Sequence, residues 1–290
     1  MMPLLSQLRP HQWLKNGFVF LGLLFGHAWN DPVRLGQALA AFAAFCLLAS
    51  AVYVMNDLID REQDRLHPNK RLRPLAAGTL GVAAAAWLAA ACLVAGGLVA
   101  WLLAGSAPWI FFAYVALNVG YSFGLKHVVI LDVFIIASGF MLRVIGGAEV
   151  IEVMISQWIV LCTMFLSLFL ATAKRRGEIV LFQSVHADSE RKVLQHYDLH
   201  FLDSTMMITA SGMAISYALY TVADRTVKVF GTEYLIFTTI FVLFGIFRYL
   251  FLVFKKNMGE NSVAIILKDL PMFVNLCLWF LSCVLIIYRF

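Results

Sequence analysis

Charge is scarce in this sequence. Of 290 residues only 13% are Asp, Glu, Lys or Arg, against 62% hydrophobic, and the mean hydropathy is +0.84. A water-soluble domain carries about 25% charged and about 45–50% apolar residues. The deficit excludes a soluble globular protein: no packing of this length hides so much apolar side chain, so lipid must solvate most of the surface. No CxxC pair occurs, no histidine stands at ligand spacing, and Cys46, Cys92, Cys162, Cys277 and Cys283 all lie in apolar runs. Neither a disulfide framework nor a zinc site is indicated. The first dozen residues hold no apolar stretch ending in a small-residue cleavage site. No cleavable signal peptide is expected, and insertion is assigned to the first transmembrane helix. The net charge of +5 does not imply nucleic acid, because the basic residues sit in short segments between apolar runs.

Those apolar runs are what the chain has in abundance. Stretches near the ~20 residues of a bilayer crossing fall at 15–30, 36–56, 80–104, 107–124, 128–148, 153–173, 205–223, 233–254 and 265–288. Leu4 to Trp13 is expected to lie along the interface as a short amphipathic helix. The expected fold is an all-α integral membrane bundle of about nine transmembrane helices. It forms one domain over 1–290, with charged loops at 57–78, 174–204 and 255–264. Of 22 lysines and arginines, sixteen lie in the N-terminus and the even-numbered loops. Four (Arg34, Arg225, Lys228 and Arg289) lie on the opposite side, and Arg143 and Arg248 fall inside helices. The positive-inside rule then makes the N-terminus and the even loops cytoplasmic, in a multi-pass protein of the cell membrane. Small-residue faces at Gly96-Gly97 and Ala83–Ala86 are candidate surfaces for homo-oligomer contacts.

Carboxylates gather where the second helix meets that face. The chain reads Asn56-Asp57-Leu58-Ile59-Asp60-Arg61-Glu62-Gln63-Asp64. If the helix continues, at about 100° per residue, Asn56, Asp57, Asp60 and Asp64 share an arc of about 100°. Three converged carboxylates repel one another unless a positive charge stands between them. Hard oxygen donors at this spacing suit Mg²⁺, which binds through a few carboxylates plus substrate phosphates. Cations follow in Asn69-Lys70-Arg71-Leu72-Arg73-Pro74 and precede in Arg9-Pro10-His11-Gln12-Trp13-Leu14-Lys15-Asn16. Asp132 and Arg143, eleven residues apart, are expected on nearly one face of the fifth helix, either paired or serving a polar cavity. Arg248 is expected to snorkel to the cytoplasmic interface. Gly259-Glu260-Asn261 and Lys268-Asp269 are left between loop structure and substrate contact.

Asn56 to Asp64 fits an NDxxDxxxD motif, and Tyr121-Ser122-Phe123-Gly124-Leu125-Lys126 follows the fourth helix. In these features the chain resembles the UbiA superfamily of intramembrane prenyltransferases over essentially its whole length. The resemblance implies a polar cavity at the cytoplasmic face. It implies magnesium on Asp57, Asp60 and Asp64, with Asn56, Tyr121 and Lys126 around the substrate. After the sixth helix, where aromatic prenyltransferases of the superfamily carry a second aspartate-rich motif, this chain reads Ala173-Lys174-Arg175-Arg176-Gly177-Glu178. Cations largely replace acids there, which suits direct phosphate binding.

With the Arg9–Asn16 segment and Phe140-Met141-Leu142-Arg143-Val144-Ile145-Gly146-Gly147, the pattern is similar to the decaprenyl-phosphate 5-phosphoribosyltransferase branch. That branch implies transfer of 5-phosphoribose from phosphoribosyl diphosphate to a polyprenyl phosphate. Lys15, Arg73, Lys174 and Arg175 would hold phosphates, with Arg143 and Glu178 in the cavity. An aromatic prenyltransferase using polyprenyl diphosphate explains the first motif but not the basic second one. A transporter of an anionic substrate explains buried charge, but not aspartates at helical spacing, and no discontinuous helix pair stands out in the sequence. No histidine stands out as a general base, and an anionic phosphate acceptor requires none.

Overall fold

The computed structural model describes residues 3–66, 69–103, 108–185, 192–259, 265 and 268–289, and among them every regular element is helical. The elements are α1 (Pro3–Gln7), a 3₁₀ segment (Pro10–Phe20), α2 (Leu21–Phe25), α3 (Pro32–Ile59), α4 (Arg61–Leu66), α5 (Val82–Leu103) and α6 (Trp109–Phe123). There follow α7 (Leu131–Val150), α8 (Gln157–Val185), α9 (Leu199–Val222), α10 (Asp224–Phe230), α11 (Thr239–Lys256) and α12 (Leu270–Arg289). Local chemistry sets several ends. Pro32 opens α3 and Asp31 caps it, its carboxylate accepting from the Val33 and Arg34 N–H groups. Asn257, in the left-handed region, ends α11 after Lys255 and Lys256.

Among the described residues six helices are long and apolar enough to cross a membrane, or seven if the bent pair α9–α10 is one span. That measure stops short of nine crossings for two reasons. The expected first helix is a 3₁₀ segment followed by the five residues of α2, and α6 has only 15 residues. Two further expectations differ. The chain bends by 54° between α9 and α10, where the sequence showed no broken helix. Lys174 to Glu178 lie inside α8 and not in a loop, because Gly177 is tolerated mid-helix and Arg175 pairs with Glu178 one turn on.

Helices α3 and α7 are the most enclosed, each 61% buried over its apolar window, whereas α5 and α12 are 17% buried and face outward. Phe45 and Leu48 of α3 pack with Phe111 and Tyr114 of α6 in one core. Phe169, Met206, Tyr249 and Leu252 form a second core between α8, α9 and α11. Two glycines set the close approaches that shape the site. A Cβ on Gly147 would stand 2.3 Å from the Val19 carbonyl oxygen, so only glycine lets the 3₁₀ segment lie against α7. A Cβ on Gly259 would stand 2.6 Å from the Ala173 carbonyl oxygen, so the turn after α11 presses on α8 at the basic motif. Gly96 packs against Leu47 and Leu48 within the same chain, while Gly97 faces open space.

Candidate active site

The break between α3 and α4 falls at Asp60, yet the helical hydrogen bonds continue through it. Asp60 N–H donates to Asn56 O at 2.9 Å and Asp64 N–H to Asp60 O at 2.8 Å. The aspartates therefore stay on one face, and each meets a cation. Asp57, 1% exposed, accepts from Gln7 Nε2 at 2.7 Å, from Arg9 Nη2 and from Arg73 Nη1 at 3.0 Å. The same Arg73 Nη1 donates to Asp64 Oδ2 at 2.6 Å. Lys126 Nζ, itself buried, donates to Asp60 Oδ1 at 2.5 Å, and Asn56 Nδ2 to Asp60 Oδ2 at 3.1 Å. Burial pushes the Asp64 carboxyl above its ordinary range, against the downward pull of Arg73 and Lys70. Arg9 reaches Asp57 from a left-handed backbone conformation, φ 54°, an uncommon geometry of the kind held in place at functional sites.

Beside this cluster opens a cavity of about 650 Å³. The 3₁₀ segment forms one wall, pinned to α3 by Trp13 Nε1 donating to Ser50 Oγ (3.1 Å) and Asn16 Nδ2 to Cys46 Sγ (3.1 Å). Across Asn16, α7 delivers Arg143, whose Nε donates to Asn16 Oδ1 at 2.6 Å, Nη1 to Gly139 O at 2.6 Å and Nη2 to Tyr114 OH at 2.8 Å. The guanidinium also lies 4.6 Å from the Tyr114 ring centroid. All these partners are neutral. Among the described residues neither Arg143 nor neighbouring Lys15 forms an ion pair, and both line the cavity. A buried cation without a carboxylate is costly, so this end of the cavity is primed for an anion.

On α8, Lys174 and Glu178 face the cavity, but Arg175 stands behind the wall with no exposed surface. Its Nε donates to Asp132 Oδ2 (2.5 Å), Nη1 to Glu178 Oε2 (2.6 Å) and Nη2 to Tyr121 OH (2.7 Å). Tyr197 OH donates to Asp132 Oδ1 (2.7 Å) and accepts from the Ile130 N–H (2.6 Å). Asp132 and Arg143 are therefore not a pair. Eleven residues of helix separate them by about 16 Å, and each finds a partner on another element. Arg176 bonds to Asp203 at 2.6 Å. Arg248 pairs with Asp269 at 2.8 Å across α11 and α12, and does not simply snorkel. Asp269 also caps α12 by accepting from the Met272 N–H at 3.1 Å, a structural role. Glu260 and Asn261 lie outside the described residues.

Of the residues singled out in the sequence, Lys15, Asn56, Asp57, Arg73, Tyr121, Arg143, Lys174 and Glu178 line one cavity. Asp60, Asp64 and Lys126 are buried beside it. Gln7, Asn16 and Tyr114 had not been assigned roles. The Tyr114, Asn118, Tyr121, Ser122 stripe at helical spacing on α6 carried a readable signal. Tyr197 had none, since its role depends on a contact 65 residues away in sequence.

The donors suit a divalent cation in kind. Among the described residues no three acidic, histidine or cysteine groups yet surround one point. Even so, Asp57 and Asp64 already converge on a single positive atom, Arg73 Nη1. Two buried amide oxygens at this spot, Asn56 Oδ1 and Gln7 Oε1, have no hydrogen-bond partner. Hard oxygen acceptors gathered around one cationic atom, with two acceptors unspent, fit Mg²⁺.

Fold and site together define the class: a multi-pass membrane protein with a charged cavity among its helices. Residues 17–277 match the model of the UbiA prenyltransferase family, and the chain belongs to that family. A decaprenyl-phosphate phosphoribosyltransferase of Mycolicibacterium smegmatis is 36% identical over 75% of this chain and 69% of its own. The protein of that name from Mycobacterium tuberculosis is 35% identical over 73% of this chain and 72% of its own. In fold, the structure of a UbiA homologue from Archaeoglobus fulgidus bound to GPP and Mg²⁺ matches with a TM-score of 0.73. It covers 98% of this chain and 99% of its own at 18% identity.

Proposed function

We propose that this protein transfers 5-phosphoribose from phosphoribosyl diphosphate to a polyprenyl phosphate, releasing diphosphate, at the cytoplasmic face of the cell membrane. The charge layout of the cavity carries this reading. Aspartates crowd one side, while Lys15 and Arg143 stand in the same cavity with no carboxylate partner among the described residues. Such a site suits a metal-bound diphosphate together with further phosphate groups. The names of the mycobacterial relatives support ribose as the transferred group.

Asp57, Asp60 and Asp64, with the Asn56 amide oxygen, would hold Mg²⁺, which supplies positive charge for the departing diphosphate. Arg73, between Asp57 and Asp64, is placed to donate to the same leaving group. Lys15, Arg143 and Lys174 hold phosphate oxygens by charge-assisted hydrogen bonds. An acceptor phosphate oxygen forms the new bond to the anomeric carbon as the bond to the diphosphate oxygen breaks. That acceptor is already anionic, so no side chain has to remove a proton. The isoprenoid tail stays in the bilayer.

The direct test incubates purified protein in nanodiscs with labelled phosphoribosyl diphosphate, polyprenyl phosphate and Mg²⁺. Labelled lipid and free diphosphate are expected, and EDTA should abolish both. Consumption of polyprenyl diphosphate with an aromatic acceptor, and indifference to the ribosyl donor, would make the protein an aromatic prenyltransferase instead.

Orientation has its own test. Single cysteines at positions 189 and 106, both outside the described residues, replace Ser189 and Ser106 in a cysteine-free variant. They should label from opposite sides of the membrane, position 189 from the cytoplasm. Labelling of both from one side overturns the arrangement.

A further inference from the structure

Two carboxylates line the cavity, Asp57 and Glu178, and they are held differently. Asp57 belongs to the aspartate cluster. Glu178 lies on α8, outside that cluster, and its Oε2 accepts from Arg175 Nη1 at 2.6 Å. Arg175 cannot leave, because its other two donor nitrogens are engaged by Asp132 and Tyr121 in a place with no exposure. Glu178 is thus a rigid acceptor whose charge is offset from behind. A carboxylate facing a phosphate site repels phosphate and attracts hydroxyl donors. Lys174 sits one turn earlier on the same face, about 6 Å away, and Tyr121 adds a hydroxyl to the same wall. A cation for phosphate and a fixed acceptor for hydroxyl, one helical turn apart, match a phosphorylated furanose.

We propose that Glu178 recognises the sugar of the donor by accepting a hydrogen bond from a ring hydroxyl, and that Arg175 is the positioning residue that aims it. This deepens the ribosyl-transfer reading and rests on it. A prenyl diphosphate has no hydroxyl for Glu178 to select, so the residue also separates the two donor classes.

The test uses the full chain in nanodiscs and compares kcat/KM for phosphoribosyl diphosphate with that for its 2-deoxy and 3-deoxy analogues. Wild type should favour the ribose donor over at least one analogue by about ten- to a hundredfold, the worth of a hydrogen bond to a charged acceptor. Glu178→Ala should lose that much on the ribose donor and far less on that analogue, so the preference collapses. Arg175→Lys, which keeps the buried charge, should move the same ratio in the same direction. Affinity for Mn²⁺, read by electron paramagnetic resonance, should stay at the wild-type value in both variants. Equal losses on all donors, or a fall in Mn²⁺ affinity in Glu178→Ala, would mean a general or metal-binding role and overturn the inference. Ribosyl transfer by wild type with an intact preference in the variants overturns this inference alone. No ribosyl transfer by wild type overturns the functional reading and this one together.

Discussion

Asp57→Asn is expected to lower turnover by at least about a hundredfold, with a smaller loss of thermal stability than Arg175→Met because Arg9 and Arg73 are 17% and 25% exposed and can be hydrated. Changes even to groups that support metal ligands cost about 10- to 100-fold in affinity or activity, and Asp57 is placed to be a ligand itself. Its carboxylate gathers Gln7, Arg9 and Arg73 at once. An amide keeps the shape but removes the charge that draws both arginines, and its NH₂ would turn a donor toward one of them. Mn²⁺ affinity, measured by electron paramagnetic resonance on the same protein, should fall in parallel with turnover. Asp60→Asn should behave likewise and should also release Lys126 from its 2.5 Å contact. Activity and Mn²⁺ affinity both surviving in the two variants would remove the metal site from the mechanism.

Arg175→Met should mainly damage the fold. The substitution leaves Asp132, with no exposed surface, and Glu178 without their shared cation. Breaking a buried pair by removing one partner costs about 3–5 kcal/mol, since the remaining charge stays desolvated. A steep drop in thermal unfolding temperature and in folded yield is expected. Asp132→Asn added to Arg175→Met should recover part of the loss, as coupled partners do in a double-mutant cycle. A normal unfolding temperature in Arg175→Met would overturn this structural role of the buried guanidinium.

The contrast between Lys174 and Arg175 marks the limit of sequence reasoning. Adjacent cations in one motif carry the same apparent signal, and on a helix they point about 100° apart. Which of them faces the cavity depends on the rotation of α8 against α7, set by packing and not by the motif. Asp132 and Arg143 teach the same lesson: a common helix face left pairing and a cavity role open, and the structure sends Arg143 to the cavity wall and Asp132 to Arg175. The course of the first segment was also hidden. Its apolar run signals burial, but only the close contact of Gly147 with the Val19 carbonyl shows that it lies against α7 as a 3₁₀ stretch.

By itself the sequence determined the membrane class, the helical makeup, the aspartate cluster and the cations gathered near it. All of these follow from local, periodic patterns: apolar runs matched to a bilayer, and carboxylates repeating at the pitch of a helix. Tertiary structure alone decided which cations pair with carboxylates and which meet neutral groups. Asp60 takes Lys126 from 66 residues away and Asp132 takes Arg175 from 43, whereas among the described residues Arg143 bonds to the amide of Asn16, 127 residues distant, and to other neutral groups. Ion pairing in a low-dielectric interior depends on distances between helices, and no pattern within a single helix contains them.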